Sequence, residues 1–240
     1  MGHPGDERTR INARDQYLSS WHSPTDSSMV RCPNEKSLAA LMPKARPRFD
    51  AAYYRRFYLT AATRAMSRSQ TEIRGALVAA LVRQLDIPVR RILDVGCGLG
   101  WYKRPLRRVF RDADYVGTEI SEYLCRTRGW IRGSIVDLKL RGQFDLVICS
   151  DVVQYLNAQD AARAIRNLSK LCRGALYFHV PTRRDWAENV DPSGTDLNVK
   201  LRSGLWYRKE LRRYFVHVGS GVHVRDTVRF AQWELEAPWA

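Results

Sequence analysis

The chain has 240 residues, a mass of 27.7 kDa, 45% hydrophobic and 27% charged side chains. That excludes wholesale disorder, collagen and coiled coil, and supplies apolar material for a core needing no metal or disulfide staples. Lys and Arg outnumber Asp and Glu by 15, an imbalance that favours anionic partners but says nothing of fold.

The basic excess is spread along the chain, +3 over residues 1–48, +5 over 49–93, +5 over 94–180 and +2 over 181–240. The first 48 residues hold five of the ten prolines and little periodicity. They read as an irregular arm with one short helix near Asp15–Trp21, and Tyr17 and Trp21 leave open a lid over a pocket. The N-terminus lacks the apolar run of a secretory signal. The longest aliphatic run, Ala76–Val82, is too short to span a bilayer, so no membrane partner is expected. Five unpaired-looking cysteines (32, 97, 125, 149, 172) and no zinc spacing predict a reducing, cytoplasmic setting and no metal.

A second unit, 49–240, opens with two helices over 49–86. Phe49, Tyr53 and Phe57 recur at i, i+4. Ser69 and Glu72 then match a capping box, Ile73, Leu77, Ala80, Leu81 and Leu85 supply an apolar face, and Pro88 stops the helix. From there short apolar runs, RILDV, DYVGTE, GSIVDL, FDLVICS and ALYFHV, alternate with helical stretches. One of these is Ala158–Cys172, with Gly174 just past its end. Such alternation predicts a parallel sheet with helices on both faces. The chain closes with a helix around Leu205–Phe215 and a terminal pair of strands, Phe215–Val218 and Val228–Leu235.

The chemistry concentrates at the strand ends. Asp94-Val-Gly96-Cys97-Gly98-Leu-Gly100 is a strand running into a glycine turn, where the backbone can approach a ligand closely. Trp101 occupies the last glycine position of the dinucleotide fingerprint, and no Gly-Lys-Ser/Thr follows, so neither NAD nor the phosphates of ATP are indicated. Glu119 ends the second run, where a carboxylate can accept from both ribose hydroxyls. Asp137 ends the third, where it can accept from an adenine amine, with Ile120 and Leu138 flanking the base. Taken singly, each acid is equally a helix cap or a solvated side chain; in order at successive strand ends they indicate a nucleoside.

These motifs, with FDLVICSDVVQYL, resemble the class I S-adenosylmethionine-dependent methyltransferases over residues 70–240. The resemblance implies an α/β three-layer sandwich with a seven-stranded, mostly parallel sheet of order 3-2-1-4-5-7-6, strand 7 antiparallel. It implies methyl transfer from S-adenosylmethionine, leaving S-adenosylhomocysteine. By position, Asp94, Gly96, Cys97 and Gly98 border the methionine and ribose, Glu119 holds the ribose, Asp137 and Leu138 meet the adenine with Ile120 beside the base, and Cys149 and Ser150 line the methionine side. The amino-methyltransferase loop Asp/Asn-Pro-Pro-Tyr/Phe is absent, Cys149-Ser150-Asp151-Val152 standing there, so the acceptor is not assigned by motif.

The residues leave a few further candidates. His179, ending the fifth run, is the first choice of general base, with Asp151, Tyr155 and Asp185 behind it. A core or surface histidine is the plainer alternative. Arg64 is placed to pair the methionine carboxylate. The polar stretch Thr182–Gly204, with Trp186, reads as a pocket cover or a long surface loop. The expected acceptor is a small or medium-sized metabolite enclosed by the arm, the aromatic helix and this stretch. RNA is the alternative, from the charge and the cluster Lys103, Arg104, Arg107, Arg108 and Arg111. A protein that binds the cofactor without turnover is the third reading.

Overall fold

Short β-branched runs separated by helical stretches need apolar cover on both faces. A computed structural model, which describes residues 49–236, arranges them so. A short helix α1 (Ala51–Tyr54) runs into a π turn (Arg55–Leu59), and α2 (Arg68–Gln84) follows. Then come β1 (Arg91–Val95), α3 (Lys103–Val109), β2 (Asp114–Glu119), α4 (Glu122–Arg128), β3 (Ile131–Arg132), β4 (Phe144–Ser150), α5 (Ala158–Leu171), β5 (Cys172–His179), α6 (Arg183–Glu188), α7 (Gly204–Leu211), β6 (Phe215–Gly219) and β7 (Val222–Arg225).

The sheet runs β3-β2-β1-β4-β5-β7-β6, with β7 antiparallel to both neighbours, as the family resemblance implies. Side chains alternate along each strand. Leu93, Val95, Val147, Leu176 and Phe178 meet α5 and α7 on one face. Ile92, Leu146, Ile148, Ala175 and Tyr177 meet α2 and α3 on the other. Parallel register sets Ser150 of β4 beside His179 of β5, which brings their carboxyl ends to one edge.

Several local expectations are corrected. The second helix is capped by Ser67, whose side chain accepts from the Gln70 N–H while Gln70 reaches back, not by Ser69 and Glu72. Its buried face is Thr71, Gly75, Val78, Ala79 and Val82, whereas Ile73 and Leu77 lie exposed. The reason is close packing: a Cβ on Gly75 would stand 2.7 Å from Pro105 Cγ, so α2 presents its small residues to α3. The third strand is two residues long and precedes GSIVD, which forms a turn closed by Asp137 N–H to the Ser134 carbonyl. Asn167 of α5 donates to the carbonyls of Ile135 and Leu138 and pins that turn. Gly174 does not cap α5 but lies within β5, where a Cβ would meet the Asp145 carbonyl at 2.2 Å. The terminal hairpin pairs β6 with Val222–Arg225, across a turn of three positive-φ residues, rather than with Val228–Leu235. The predicted arm and its short helix lie outside the described residues.

Candidate active site

The glycine turn after β1 is built by conformation. Gly96, Gly98 and Gly100 all take positive φ (63°, 52° and 74°), which side-chain-bearing residues adopt at a cost. At Gly96 a Cβ would also stand 2.4 Å from Val152 Cγ2. Across the turn, Glu119 at the end of β2 is buried at 5% exposure. Its carboxylate accepts from the backbone N–H groups of Gly98 (2.9 Å), Ile120 (2.7 Å) and Ser121 (3.1 Å). A carboxylate has about four acceptor positions, so the same group still has capacity for a ligand hydroxyl.

Asp94, at 2% exposure, accepts from the Tyr115 hydroxyl. Burial pushes its pKa up to about 7, with Glu119's charge adding and the Tyr115 bond opposing.

A narrow slot of about 100 Å³ beside Glu119 is lined by Ile120, Ser134, Ile135, Phe49, Tyr54 and Val152. Its flat, apolar walls and strand-end carboxylate fit a nucleoside. The residues therefore suit the adenosine of S-adenosylmethionine, with one change from expectation. Asp137 is exposed and Leu138 belongs to the core, and neither lines the slot; Ser134 and Ile135 stand there instead.

The slot shares Gly96, Gly98, Tyr53, Tyr58, Asp151 and Tyr155 with a cavity of about 770 Å³. Asp94, Cys97, Ser150 and Arg64, the cofactor contacts expected from sequence, line the cavity. Cys149 does not: it is fully buried among Leu93, Val95 and Phe178 and its thiol is pushed up by burial. The charges of Asp94 and Asp151 add to that rise.

At the far wall, Asp151 Oδ1 lies 3.3 Å from His179 Nδ1. Ser150 Oγ donates to Asp151 at 3.0 Å and Tyr102 OH to Ser150 at 3.2 Å. Arg74 Nη1 sits 3.4 Å from both ring nitrogens of His179. Burial works to raise the Asp151 carboxyl, but His179, Ser150 and Arg74 together hold it below its ordinary value. Asp151 also has a positive φ of 59°, held by its N–H to the His179 carbonyl at 2.8 Å. Left-handed backbone at an aspartate costs about 1–2 kcal/mol, and such strain gathers where geometry serves a ligand.

Tyr155 is placed differently from the expectation of a base. Its hydroxyl meets that of Tyr53 at 2.9 Å. Burial first, then the neighbouring Tyr58 and the nearby acids, raise its phenol well above the usual value, against the opposing bond to Tyr53. It stays a neutral hydroxyl, able to position but not to remove a proton.

The predicted cover of residues 182–204 contains α6, capped by Thr182 with Asp185 in reciprocal bonds. Asp185, Trp186, Val190 and Asp196 from this stretch line the cavity. Opposite them stand Tyr53, Phe57 and Tyr58 of the aromatic N-terminal turn. Sequence reading missed Arg74 and Gln154 as wall residues, and included Asp196 only as part of the stretch read as a cover. Their only signal is spacing that becomes meaningful once α2 and the 189–200 stretch are folded over the strand ends.

Beside the cavity opens a second, shallower groove carrying Arg64, Arg68, Lys103, Arg104, Arg107, Arg108 and Arg128 over Trp101 and Trp130, with Glu72 as its acid. Four of the five predicted basic residues share this wall; Arg111 does not line it.

Residues 93–174 match the family model described as a methyltransferase domain. A malonyl-[acyl-carrier protein] O-methyltransferase of Legionella pneumophila is 32% identical over 126 residues, covering 47% of this chain and 43% of that protein. The chain thus spans less than half the length of that curated relative. Among solved structures, an amino pentose methyltransferase of Micromonospora echinaspora, with S-adenosylmethionine bound, shares the fold at 17% identity and a TM-score of 0.50, over 65% of this chain and 91% of that one. An O-methyltransferase family protein of Burkholderia thailandensis does so at 14% identity and a TM-score of 0.50, over 66% and 57%.

Residues 93–174 thus resemble a methyltransferase domain, and the sheet has the strand order that the resemblance to the class I S-adenosylmethionine-dependent methyltransferases implies.

Proposed function

We propose that the chain transfers a methyl group from S-adenosylmethionine to a small or medium-sized acceptor enclosed in the 770 Å³ cavity. The observation that carries this reading is continuity: one space runs from the glycine turn and Asp94 to the Asp151–His179 pair under an aromatic cover. When bound, S-adenosylmethionine supplies a methyl on a sulfonium, a good leaving group. What the chain adds is placement, which is worth a large part of the barrier. Glu119 would accept from the ribose, Ile120, Ser134 and Ile135 would flank the base, and Arg64 would pair the carboxylate. His179, oriented by Asp151, would take a proton from an acceptor hydroxyl or amine. Trp186, Tyr53 and Tyr58 would keep water out.

RNA is the second reading, favoured by the basic groove that adjoins the cavity through Arg64, Leu99 and Trp101. No helix among the described residues is long and apolar enough to cross a membrane.

Thermal unfolding with S-adenosylhomocysteine tests the cofactor site. At about 100 times Kd the ligand adds roughly 2.7 kcal/mol, or about 5–10 °C at this size. The shift is expected in the wild type and lost in Glu119→Ala; its absence in the wild type overturns the reading. Labelled methyl transfer into fractionated extract then separates acceptors: counts in small molecules favour the first reading, and counts in RNA that fall steeply with salt favour the second.

A further inference from the structure

Two buried acceptor atoms in the cavity wall have no partner among the described residues: Gln154 Oε1 and Asp196 Oδ2. Gln154 is 4% exposed, and both side chains line the cavity. Neither is a loose end of the fold. The Gln154 carbonyl accepts from Lys200 N–H at 2.6 Å, and Asp196 Oδ1 accepts from Asn198 N–H at 3.0 Å. The segment carrying Asp196 is thus fastened to the turn carrying Gln154, while one oxygen of each is left unbonded. A buried acceptor left so destabilises the free protein, and more when it is charged.

The other cavity acids are answered locally: Asp94 by Tyr115, Asp151 by His179, Asp185 by Thr182, Asp191 by Ser193. Asp196 has no cation within ion-pair distance among the described residues. Its charge reaches the phenols of Tyr53, Tyr58 and Tyr155, all held protonated chiefly by burial. Neutral aromatic faces beside an unanswered carboxylate suit a positive nitrogen, which gains from both. An alcohol would supply a donor but leave the charge unpaired.

We propose that the methyl acceptor carries a protonated amino group, received by Asp196 and Gln154 against the tyrosine faces. This rests on the methyltransferase reading above and names the class of substrate that the cavity selects.

The test uses the whole chain saturated with S-adenosylhomocysteine and a small-molecule extract divided on a cation exchanger. One half of the retained fraction is treated with an amine-selective acetylating reagent. The untreated retained fraction is expected to raise the melting temperature beyond the shift from S-adenosylhomocysteine alone, and to take up labelled methyl from S-adenosylmethionine. Acetylation is expected to abolish both effects. Asp196→Asn, nearly isosteric, is expected to keep the S-adenosylhomocysteine shift while losing the second shift and at least tenfold of the transfer.

Uptake or a second shift that survives acetylation overturns the amine proposal and leaves methyl transfer standing. So does an Asp196→Asn variant that responds like wild type. A variant that loses the S-adenosylhomocysteine shift assigns Asp196 to the cofactor and overturns the proposal. Absence of that shift in the wild type overturns the methyltransferase reading itself.

Discussion

Strand β4 carries an aspartate at each end of the sheet, and the two are treated in opposite ways. Asp145, near its start, accepts from the N–H groups of Arg90 and Arg91 at 2.9 Å each and from Arg173 Nε at 2.6 Å. Burial works to raise it, but these partners hold its pKa below the ordinary carboxylate value. It ties β1, β4 and β5 together at their amino ends. Asp151, just past the other end, sits in left-handed backbone over a cavity. Around it lie a carboxyl raised by burial (Asp94) and two unpartnered acceptors (Gln154, Asp196). One end of the sheet is satisfied by the chain itself; the other is arranged for something not yet there. Stability is gathered at the first and given up at the second, as expected where a site must stay complementary to a ligand rather than to itself.

The largest loss of stability lies at the satisfied end. Asp145→Ala leaves two backbone donors unanswered, a loss of about 3 kcal/mol to which the half-exposed Arg173 adds little. At this size that is about 10 °C in melting temperature, read by calorimetry. Because the folded carboxyl lies below its unfolded value, its contribution is present above about pH 4 and lost as pH falls through the lower folded value. A melting temperature within 2 °C or so of wild type would break the contrast.

Asp94 is the counterpart with the opposite sign. Its folded pKa of about 7 lies above the unfolded 3.8. The folded chain therefore binds the proton more tightly, and stability falls as pH rises between about 4 and 7. Asp94→Asn removes the buried charge and is expected to melt higher than wild type at pH 8, by an amount on the order of 3–4 kcal/mol, with the difference vanishing near pH 4. Equal melting curves at pH 8 would show that the ionised carboxylate is already compensated.

His179 separates placement from stability. His179→Asn keeps the shape of the site and removes the proton acceptor. The transfer rate is expected to fall by about 10²–10⁴-fold, while the S-adenosylhomocysteine shift persists. Asp151→Asn is expected to act through the ring rather than on the acceptor, moving the lower limb of the pH–rate profile. A His179→Asn variant of unchanged rate would reduce the pair to a structural contact.

How much of this was legible in the sequence depends on whether the signal is local. The alternation of strands and helices and the glycine turn follow from period, spacing and residue type, and the strand order from the family resemblance: RILDV into Gly96-Cys97-Gly98 admits few geometries, and Glu119 closes on that turn through the Gly98 N–H. The third strand misled because Gly133–Leu138 has strand composition, yet its backbone is held as a turn by Asn167, 29 to 34 residues away in the chain. That error carried Asp137 to the slot beside Glu119, where Ser134 stands. The second helix misled because Ile73 and Leu77 look like a core face. The contact with Pro105 and Tyr102 instead requires the small face around Gly75. Arg74 meets His179 across 105 residues, and Asp196 faces Tyr53 and Tyr155 only once the stretch after β5 folds over the cavity. No window of sequence contains such a pair.

The smallest effect sharpens the contrast most. Gln154→Met removes the unpartnered oxygen while keeping length and flexibility, so the penalty of burying an unanswered acceptor disappears with little change in packing. Were Gln154 a structural residue, its loss would lower the melting temperature, as at Asp145. If its oxygen is held in reserve for a ligand, the variant melts at or slightly above wild type, by up to about 1 kcal/mol, and loses only acceptor binding. Calorimetry of the free protein, set against the extract-induced shift in the presence of S-adenosylhomocysteine, reads both quantities. A drop of several degrees would place Gln154 with Asp145 among the residues that hold the sheet together. An unchanged or higher melting temperature with acceptor binding lost would place it with Asp151 and Asp196, where the chain leaves bonds unmade so that a ligand can make them.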